Sequence, residues 1–249
     1  MRTLPTITKN LLIINILTFL AGMVLPSHGI NLDALCGLHF FMSEHFSPYQ
    51  FITYMFIHGS WTHLFFNMFA LWMFGVVIEQ TQGPRRFLIY YLVCGLGAGV
   101  CQEIVQYIHY LQLDLVQVNY MGQMTDCVMV DGYDRPILLS SYLNAWSCVG
   151  ASGAVYGVLL AFGLYYPNER MFIIPIPFPI KAKYFVVGYA VIEVLEALTR
   201  PGDGVAHVAH LGGMLFGLLL ILYWRNRDNH SSRGGGATYV SFDSYNKRF

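Results

Sequence analysis

Long uninterrupted apolar runs constrain this sequence more than any other feature. Apolar residues make up 55% of the 249 residues and charged residues only 11%, whereas soluble domains carry about 25% charged residues. A helix needs about 20 mostly apolar residues to cross the hydrocarbon core of a bilayer. We therefore predict an all-α polytopic membrane protein, a bundle of six transmembrane helices at residues 7–25, 61–80, 87–108, 148–166, 183–198 and 205–224.

The charge pattern indicates the domain organisation and the orientation. Residues 1–224 would form one membrane domain, and the polar, Gly/Ser-rich residues 225–249 are predicted to be a disordered cytoplasmic tail. Of the 14 Lys and Arg residues, all except Arg135 and Arg200 fall at the termini or in the even-numbered connections. Cytoplasmic loops carry the excess of positive charge, so both termini are expected inside and the long connections 26–59 and 109–146 outside.

A serine surrounded by glycines opens the fourth predicted span. In the run Gly150-Ala151-Ser152-Gly153-Ala154-Val155-Tyr156-Gly157, Ser152 and Tyr156 are four apart and share a helix face. Gly153 and Gly157 form a neighbouring stripe that permits close approach of another helix. Because bulky apolar residues are usual inside a membrane, this run favours a functional interpretation over simple packing, which is the ordinary role of a lone serine.

A histidine motif in the sixth predicted span provides a candidate partner for Ser152. In the run Ala206-His207-Val208-Ala209-His210-Leu211-Gly212-Gly213-Met214-Leu215-Phe216-Gly217, His210, Gly213 and Gly217 recur at helical spacing. Glycines beside His210 would let its helix pack tightly against the Ser152 helix. The predicted topology also places His63, Asn67, Ser152 and His210 in the outer halves of spans two, four and six.

These residue types suit acyl transfer. Ser152 would be the nucleophile and His210 its base, with Tyr156 stacked on the imidazole. His63 and Asn67 are four apart and could donate hydrogen bonds to an oxyanion, with the Ser152 N–H as a third donor. No Asp or Glu is predicted near either motif at this depth, so we expect a dyad. Glu193 and Glu196 on the fifth span are interpreted as functional or as facing an aqueous cavity.

The two motifs together resemble those of the rhomboid family of intramembrane serine proteases. His58, the pair His63 and Asn67 followed by Glu79, and Pro48-Tyr49-Gln50 with Thr53 add to the resemblance. It implies a six-helix fold, Ser152 as nucleophile, His210 as base, His63 and Asn67 as oxyanion donors, and single-pass transmembrane proteins as substrates. It also implies that the fifth span is a lateral gate and that residues 199–204 form a cap. The 109–146 loop is longer than is usual, and residues 27–59 lack the family's Trp-Arg pair.

The compact six-span form resembles bacterial members, which predicts the bacterial cytoplasmic membrane and a site facing outward. No cofactor is expected, and a net charge of zero gives no field that would recruit nucleic acid. The oligomeric state is not predicted by any feature of the sequence.

Several alternatives stay open. His207 and His210 could bind a metal with His58 or His63, although no acidic or thiolate ligand is expected to accompany them. A catalytically silent relative that binds transmembrane helices is possible, and so, less readily, is a small transporter, which would be expected to show an internal repeat. A disulfide between Cys36 and Cys127, in the two outer connections, is also possible.

Overall fold

The computed structural model describes residues 4–120, 123–129, 135–172, 178–199 and 206–233. Within them the chain is dominated by α-helices, which confirms the predicted all-α class. The helices are α1 (Thr6–Val24), α2 (Leu32–Cys36), α3 (Gln50–Thr53), α4 (Trp61–Ala70), α5 (Val76–Gln82), α6 (Pro84–Tyr110), α7 (Leu139–Asn144), α8 (Ser152–Tyr165), α9 (Ala182–Thr199) and α10 (His207–Arg233). A π-helical turn, Leu71–Gly75, joins α4 to α5, and short 3₁₀ turns occupy Leu25–His28 and Tyr54–Phe56.

Four described segments are long and apolar enough to cross a membrane: Thr6–His28, Trp61–Gln82, Pro84–Tyr110 and His207–Asn229. Helix α8 is apolar but shorter, and α9 carries Lys183, Glu193 and Glu196. The chain is therefore an integral membrane protein, while the count of six spans stays a prediction.

Helices α6, α8 and α10 form the centre of the bundle. They approach closely because glycines face side chains of the neighbouring helix: Gly97 faces Phe216, Gly212 faces Cys101, and Gly157 faces Cys94. Large aromatic side chains, among them Tyr90, Tyr91 and Phe87 on α6, are completely buried beside these contacts. Tyr90 donates its hydroxyl proton to the Gly157 carbonyl at 2.8 Å, so α6 and α8 are held together by polar as well as apolar contacts.

A buried carboxylate attaches α1 to the second spanning segment. Glu79 on α5 accepts hydrogen bonds from the Ile7 N–H at 2.9 Å, the Thr8 N–H at 2.7 Å and the Thr8 hydroxyl at 2.8 Å. The first turn of a helix leaves N–H groups without intrahelical partners, and negative charge is favourable there. Glu79 therefore caps α1 from another helix.

Short antiparallel ladders, which the sequence did not reveal, organise the connections. Strand β1 (Leu38–His39) pairs with β5 (Ser147–Cys148), while β2 (Leu115–Tyr120), β3 (Gln123–Val128) and β4 (Ile137–Leu138) form a three-stranded sheet. Strands β6 (Arg170–Met171) and β7 (Ile180–Lys181) pair before α9. The long 109–146 connection is thus largely ordered where it is described, with its first two strands forming a hairpin.

Two boundaries differ from the prediction. The fourth span was expected to begin at residue 148, but Cys148 lies in β5 and the helix begins at Ser152. The sixth helix was expected to end at residue 224, before a disordered tail, yet α10 continues to Arg233. Its extension is supported by Asp228, which accepts two hydrogen bonds of 2.8 Å from Arg86 on α6. Residues 234–249 of the predicted tail lie outside the described residues.

The cysteines form no disulfide. All five lie within the described part of the chain and are free, including Cys36 and Cys127, so the pairing that the sequence left open does not occur. Cys127 is buried within the sheet, where it is paired with Val116 on one side and Leu138 on the other.

Candidate active site

Ser152 is placed by its backbone surroundings. It is the first residue of α8, and the turn before it includes Gly150, whose φ of +129° is accessible mainly to glycine. The Gly150 N–H donates to the Tyr54 carbonyl at 2.9 Å, and two residues earlier Cys148 is paired with Leu38. At the start of a helix the N–H groups have no intrahelical acceptor, so the Ser152 amide can donate to a bound group.

The structure brings Ser152 and His210 into direct contact. The Ser152 Oγ and the His210 Nε2 are 2.8 Å apart, within hydrogen-bonding distance. Ser152 begins α8 and His210 lies in the first turn of α10, so residues 58 apart in sequence meet at the same end of the bundle. A base at this distance can accept the hydroxyl proton.

Tyr156 lies against the imidazole, one helical turn after Ser152. The ring centroids of Tyr156 and His210 are 4.3 Å apart and their planes differ by 5°. This stacked arrangement restricts rotation of the histidine ring about its side-chain bonds.

Gly213 lies where α10 meets α8, while Gly153 and Gly217 also lie against α6. A Cβ atom on Gly213 would fall 1.9 Å from the Gly153 carbonyl oxygen, and one on Gly217 would fall 2.4 Å from the Tyr90 hydroxyl. At Gly153 an added Cβ would lie 2.4 Å from the Ala98 Cβ. Any larger residue at Gly213 would force α10 away from α8, since the neighbouring atoms belong to the backbone.

The expectation that no Asp or Glu lies near the Ser152–His210 pair is wrong, because the carboxylate of Glu193 contacts His210. Glu193 on α9 is buried, and its Oε2 lies 3.0 Å from the His210 Nδ1 and 2.7 Å from the His207 Nδ1. The Tyr156 hydroxyl donates to the other oxygen, Oε1. The sequence predicts no carboxylate at the depth of His210, although Glu193 lies within a predicted span. A charge within a span is costly and usually faces the protein interior, and this was the signal that could have placed Glu193 at the site.

His63 and Asn67 occupy α4, beside the turn that precedes Ser152. The His63 ring lies 2.7 Å from the position of a Cβ on Gly150, and that position is 3.5 Å from the Ser152 Oγ. The buried Asn67 donates from its Nδ2 to the His63 carbonyl at 3.0 Å. The structure thus brings His63 close to Ser152, whereas the described contact of Asn67 is with the backbone of its own helix.

The family of the chain is shown by comparison with known proteins. A family model described as the Rhomboid domain matches residues 45–227, which is more than half of the chain. The chain belongs to the rhomboid family.

Individual rhomboid relatives match at lower coverage. Rhomboid protease AarA of Providencia stuartii is 28% identical over 169 residues, covering 67% of this chain and 52% of that protein. The mitochondrial presenilin-associated rhomboid-like protein of Rattus norvegicus is 29% identical over 203 residues, covering 73% of this chain and 44% of the relative. This chain therefore spans about half the length of the curated relatives that it matches.

The rhomboid site also contains three potential metal ligands. One ligand atom each from Glu193, His207 and His210 lies within 4.8 Å of the others, so the sequence-based statement that no acid accompanies these histidines is wrong. Zinc ligands about 2.0–2.1 Å from the ion lie roughly 3.3 Å from one another in a tetrahedral site. The observed Nδ1–Oε2 distances of 2.7 and 3.0 Å are instead those of direct hydrogen bonds.

Proposed function

We propose that this rhomboid-family protein is an intramembrane serine endopeptidase. The observation that carries the proposal is the 2.8 Å contact between the Ser152 Oγ and the His210 Nε2, formed between two helices of an integral membrane protein. Its substrates would be single-pass transmembrane proteins, cut near the outer membrane face. The charge pattern supports inward termini, and the similarity to AarA of Providencia stuartii supports a bacterial cytoplasmic membrane as the location.

The reaction follows from the positions of the groups. Ser152 Oγ attacks the carbonyl carbon of the scissile peptide bond while its proton passes to His210 Nε2. The resulting oxyanion would be stabilised by the Ser152 N–H and by the His63 and Asn67 side chains. His210 then donates its proton to the leaving amine, the C–N bond breaks, and an acyl-serine remains. Water then attacks the acyl carbon while His210 takes its proton. The bond between that carbon and Ser152 Oγ breaks, His210 returns the proton to Oγ, and the new carboxyl terminus is released.

The runner-up function is a silent rhomboid-like protein that binds transmembrane helices without cutting them. The presence of both Ser152 and His210 at hydrogen-bonding distance favours the peptidase. A transporter would leave the serine unexplained.

The test is labelling of the detergent-purified protein with a fluorophosphonate, together with cleavage of a single-pass reporter that has helix-destabilising residues near its outer end. We expect wild type to label and cut, and Ser152→Ala and His210→Ala to do neither while keeping the wild-type unfolding temperature. Exposed residues of the same types provide matched controls: Ser27→Ala and His28→Ala should behave as wild type.

Loss of one oxyanion donor should be milder. His63→Ala and Asn67→Ala are each expected to lower kcat by on the order of 10²-fold. Folded wild-type protein that neither labels nor cuts would support the silent alternative, and full cleavage by Ser152→Ala would refute the mechanism.

A further inference from the structure

Glu193 is a charged side chain in an otherwise apolar setting. Helix α9 presents large apolar residues outward, with Leu198 75% exposed and Tyr184 63% exposed, whereas Glu193 is 4% exposed. A carboxylate is costly to bury unless it is hydrogen-bonded. Here both of its oxygens accept hydrogen bonds, from Tyr156 on α8 and from His207 and His210 on α10.

We propose that Glu193 is the positioning residue for His210, forming a Ser152–His210–Glu193 triad that is assembled only while α9 is packed against α8 and α10. This inference rests on the proposed peptidase function. It adds a third member to the pair and makes the position of one helix a condition for activity.

The hydrogen bond to Glu193 determines which nitrogen of His210 carries the proton. A carboxylate only accepts, so the His210 Nδ1 must donate to it. The neutral ring then has its lone pair on Nε2, facing the Ser152 hydroxyl at 2.8 Å. This is the tautomer that a general base needs, because the other tautomer would direct an N–H at the hydroxyl. The carboxylate also stabilises the imidazolium that forms when Ser152 loses its proton.

His207 contacts the same carboxylate. Its Nδ1 lies 2.7 Å from the oxygen that faces His210, so this oxygen accepts hydrogen bonds from both histidines. The titratable groups around Glu193 are Tyr156 from α8, His207 and His210 from α10, and Glu196 one turn away, whose Oε2 is 3.6 Å from the His207 Nδ1. Beyond His210, His63 on α4 is the next histidine.

The triad depends on the position of α9, since Glu193 is the buried residue that attaches one end of the helix to the site. Ala182 and Val186 are buried near the first end of the helix, and Glu193 is the buried residue towards its other end. Displacement of that end would break the hydrogen bonds to Tyr156, His207 and His210 together. A substrate helix that moved α9 aside would therefore leave His210 without its partner until α9 packed again.

The decisive variants are Glu193→Gln and Glu193→Asp, with Glu169→Gln, an exposed glutamate beyond the end of α8, as the control. Glu193→Gln removes the charge and one of the two acceptor oxygens, and with its amide nitrogen towards His210 the new side chain would donate to Nδ1 and favour the wrong tautomer. We expect kcat to fall by on the order of 10²-fold or more at unchanged KM. The acid limb of the pH–rate profile should move to lower pH, because the imidazolium loses its carboxylate. Glu193→Asp should recover part of kcat and of the wild-type profile, and Glu169→Gln should leave both unchanged.

The outcomes separate this inference from the proposed function. A folded Glu193→Gln protein with wild-type kcat and pH profile would overturn the inference, while serine labelling that needs Ser152 and His210 would leave the peptidase intact. If Glu193→Gln fails to fold, the rate of fluorophosphonate labelling by Glu193→Asp against pH decides: an unshifted acid limb refutes the role. Loss of wild-type activity with a chelator and its return with Zn²⁺ would assign the three residues to a metal and also overturn the inference.

Discussion

Replacement of Gly213 by alanine should separate the proposed catalytic pair without touching either residue. The new Cβ would lie 1.9 Å from the Gly153 carbonyl oxygen, whereas ordinary contact begins at 3.4 Å. Because the opposing atom belongs to the backbone, α8 and α10 must move apart by up to the difference between these distances, about 1.5 Å. Passed on in full to the Ser152–His210 contact of 2.8 Å, this shift gives about 4.3 Å, beyond hydrogen-bonding range.

A displacement of about 1 Å in a catalytic group typically costs about 10²-fold in rate, so we expect Gly213→Ala to lose at least that factor in kcat. Overpacking should also destabilise the protein by about 1–3 kcal/mol. The assay is cleavage of the single-pass reporter, measured well below the unfolding temperature of each variant. Fluorophosphonate labelling should slow in parallel, because it depends on the same activated serine.

Two alanine substitutions serve as controls for this experiment. Gly22→Ala meets nothing within 4 Å and should resemble wild type. Gly97→Ala is crowded too, with its Cβ 2.1 Å from Phe216 Cγ, but it stresses the contact of α10 with α6. It should lower the unfolding temperature and retain most of the activity. Wild-type cleavage by folded Gly213→Ala would refute the view that this glycine contact sets the Ser152–His210 distance.

Two further substitutions test the position of α9 and a buried histidine. Gly163→Ala would place a Cβ 2.6 Å from Val186 Cγ2 on α9, whereas Gly188→Ala meets nothing within 4 Å, so only Gly163→Ala should lower kcat. In a Glu193→Gln background Gly163→Ala should lower kcat little further. Equal losses of kcat in both backgrounds would contradict the view that α9 acts on the site through Glu193. Burial, and less strongly the neighbouring His63, lowers the pKa of His58 to about 4. An unfolded histidine titrates near 6.5, so between about pH 6.5 and pH 4 His58 binds a proton in the unfolded chain but not in the folded one. The contribution of His58 to the free energy of unfolding is therefore complete above about pH 6.5 and falls by up to about 3 kcal/mol towards pH 4. The fall in unfolding temperature from about pH 7.5 to about pH 5 should be smaller in His58→Phe, and an equal fall would contradict this assignment.

The positions of the long helices and the contact between Ser152 and His210 can be predicted from the sequence because both depend on short-range patterns. Apolar runs of membrane length mark spans whatever their neighbours are. The spacing of Ser152 and Tyr156, and of His210 and Gly213, fixes which residues share a face on each helix. The stacking of Tyr156 on His210 follows from those faces once the two helices meet.

The rotation of α9 and the strand pairings could not be predicted in the same way. Residues 183–198 are apolar on nearly all sides, because lipid and the protein interior are both apolar, so hydrophobic periodicity does not reveal the buried face. The buried face is revealed instead by Glu193, since a charge within a membrane protein normally faces the interior. The pairing of Leu38 with Cys148 joins two strands that are distant in sequence, and each has only two residues, too few to carry a strand pattern.

The position of Ser152 depends mainly on backbone contacts, which explains why a small error there should be costly. The Gly150 N–H is bonded to the Tyr54 carbonyl, β5 is paired with β1, and Gly153 lies directly against Gly213. Backbone atoms have no alternative rotamers with which to absorb a shift, unlike the long side chains that line most helix contacts. Glu193 differs in this respect, because it reaches His210 through a flexible side chain on a largely exposed helix. In the proposed triad the serine is thus held by backbone contacts, while the orientation of its base depends on a side chain from a largely exposed helix.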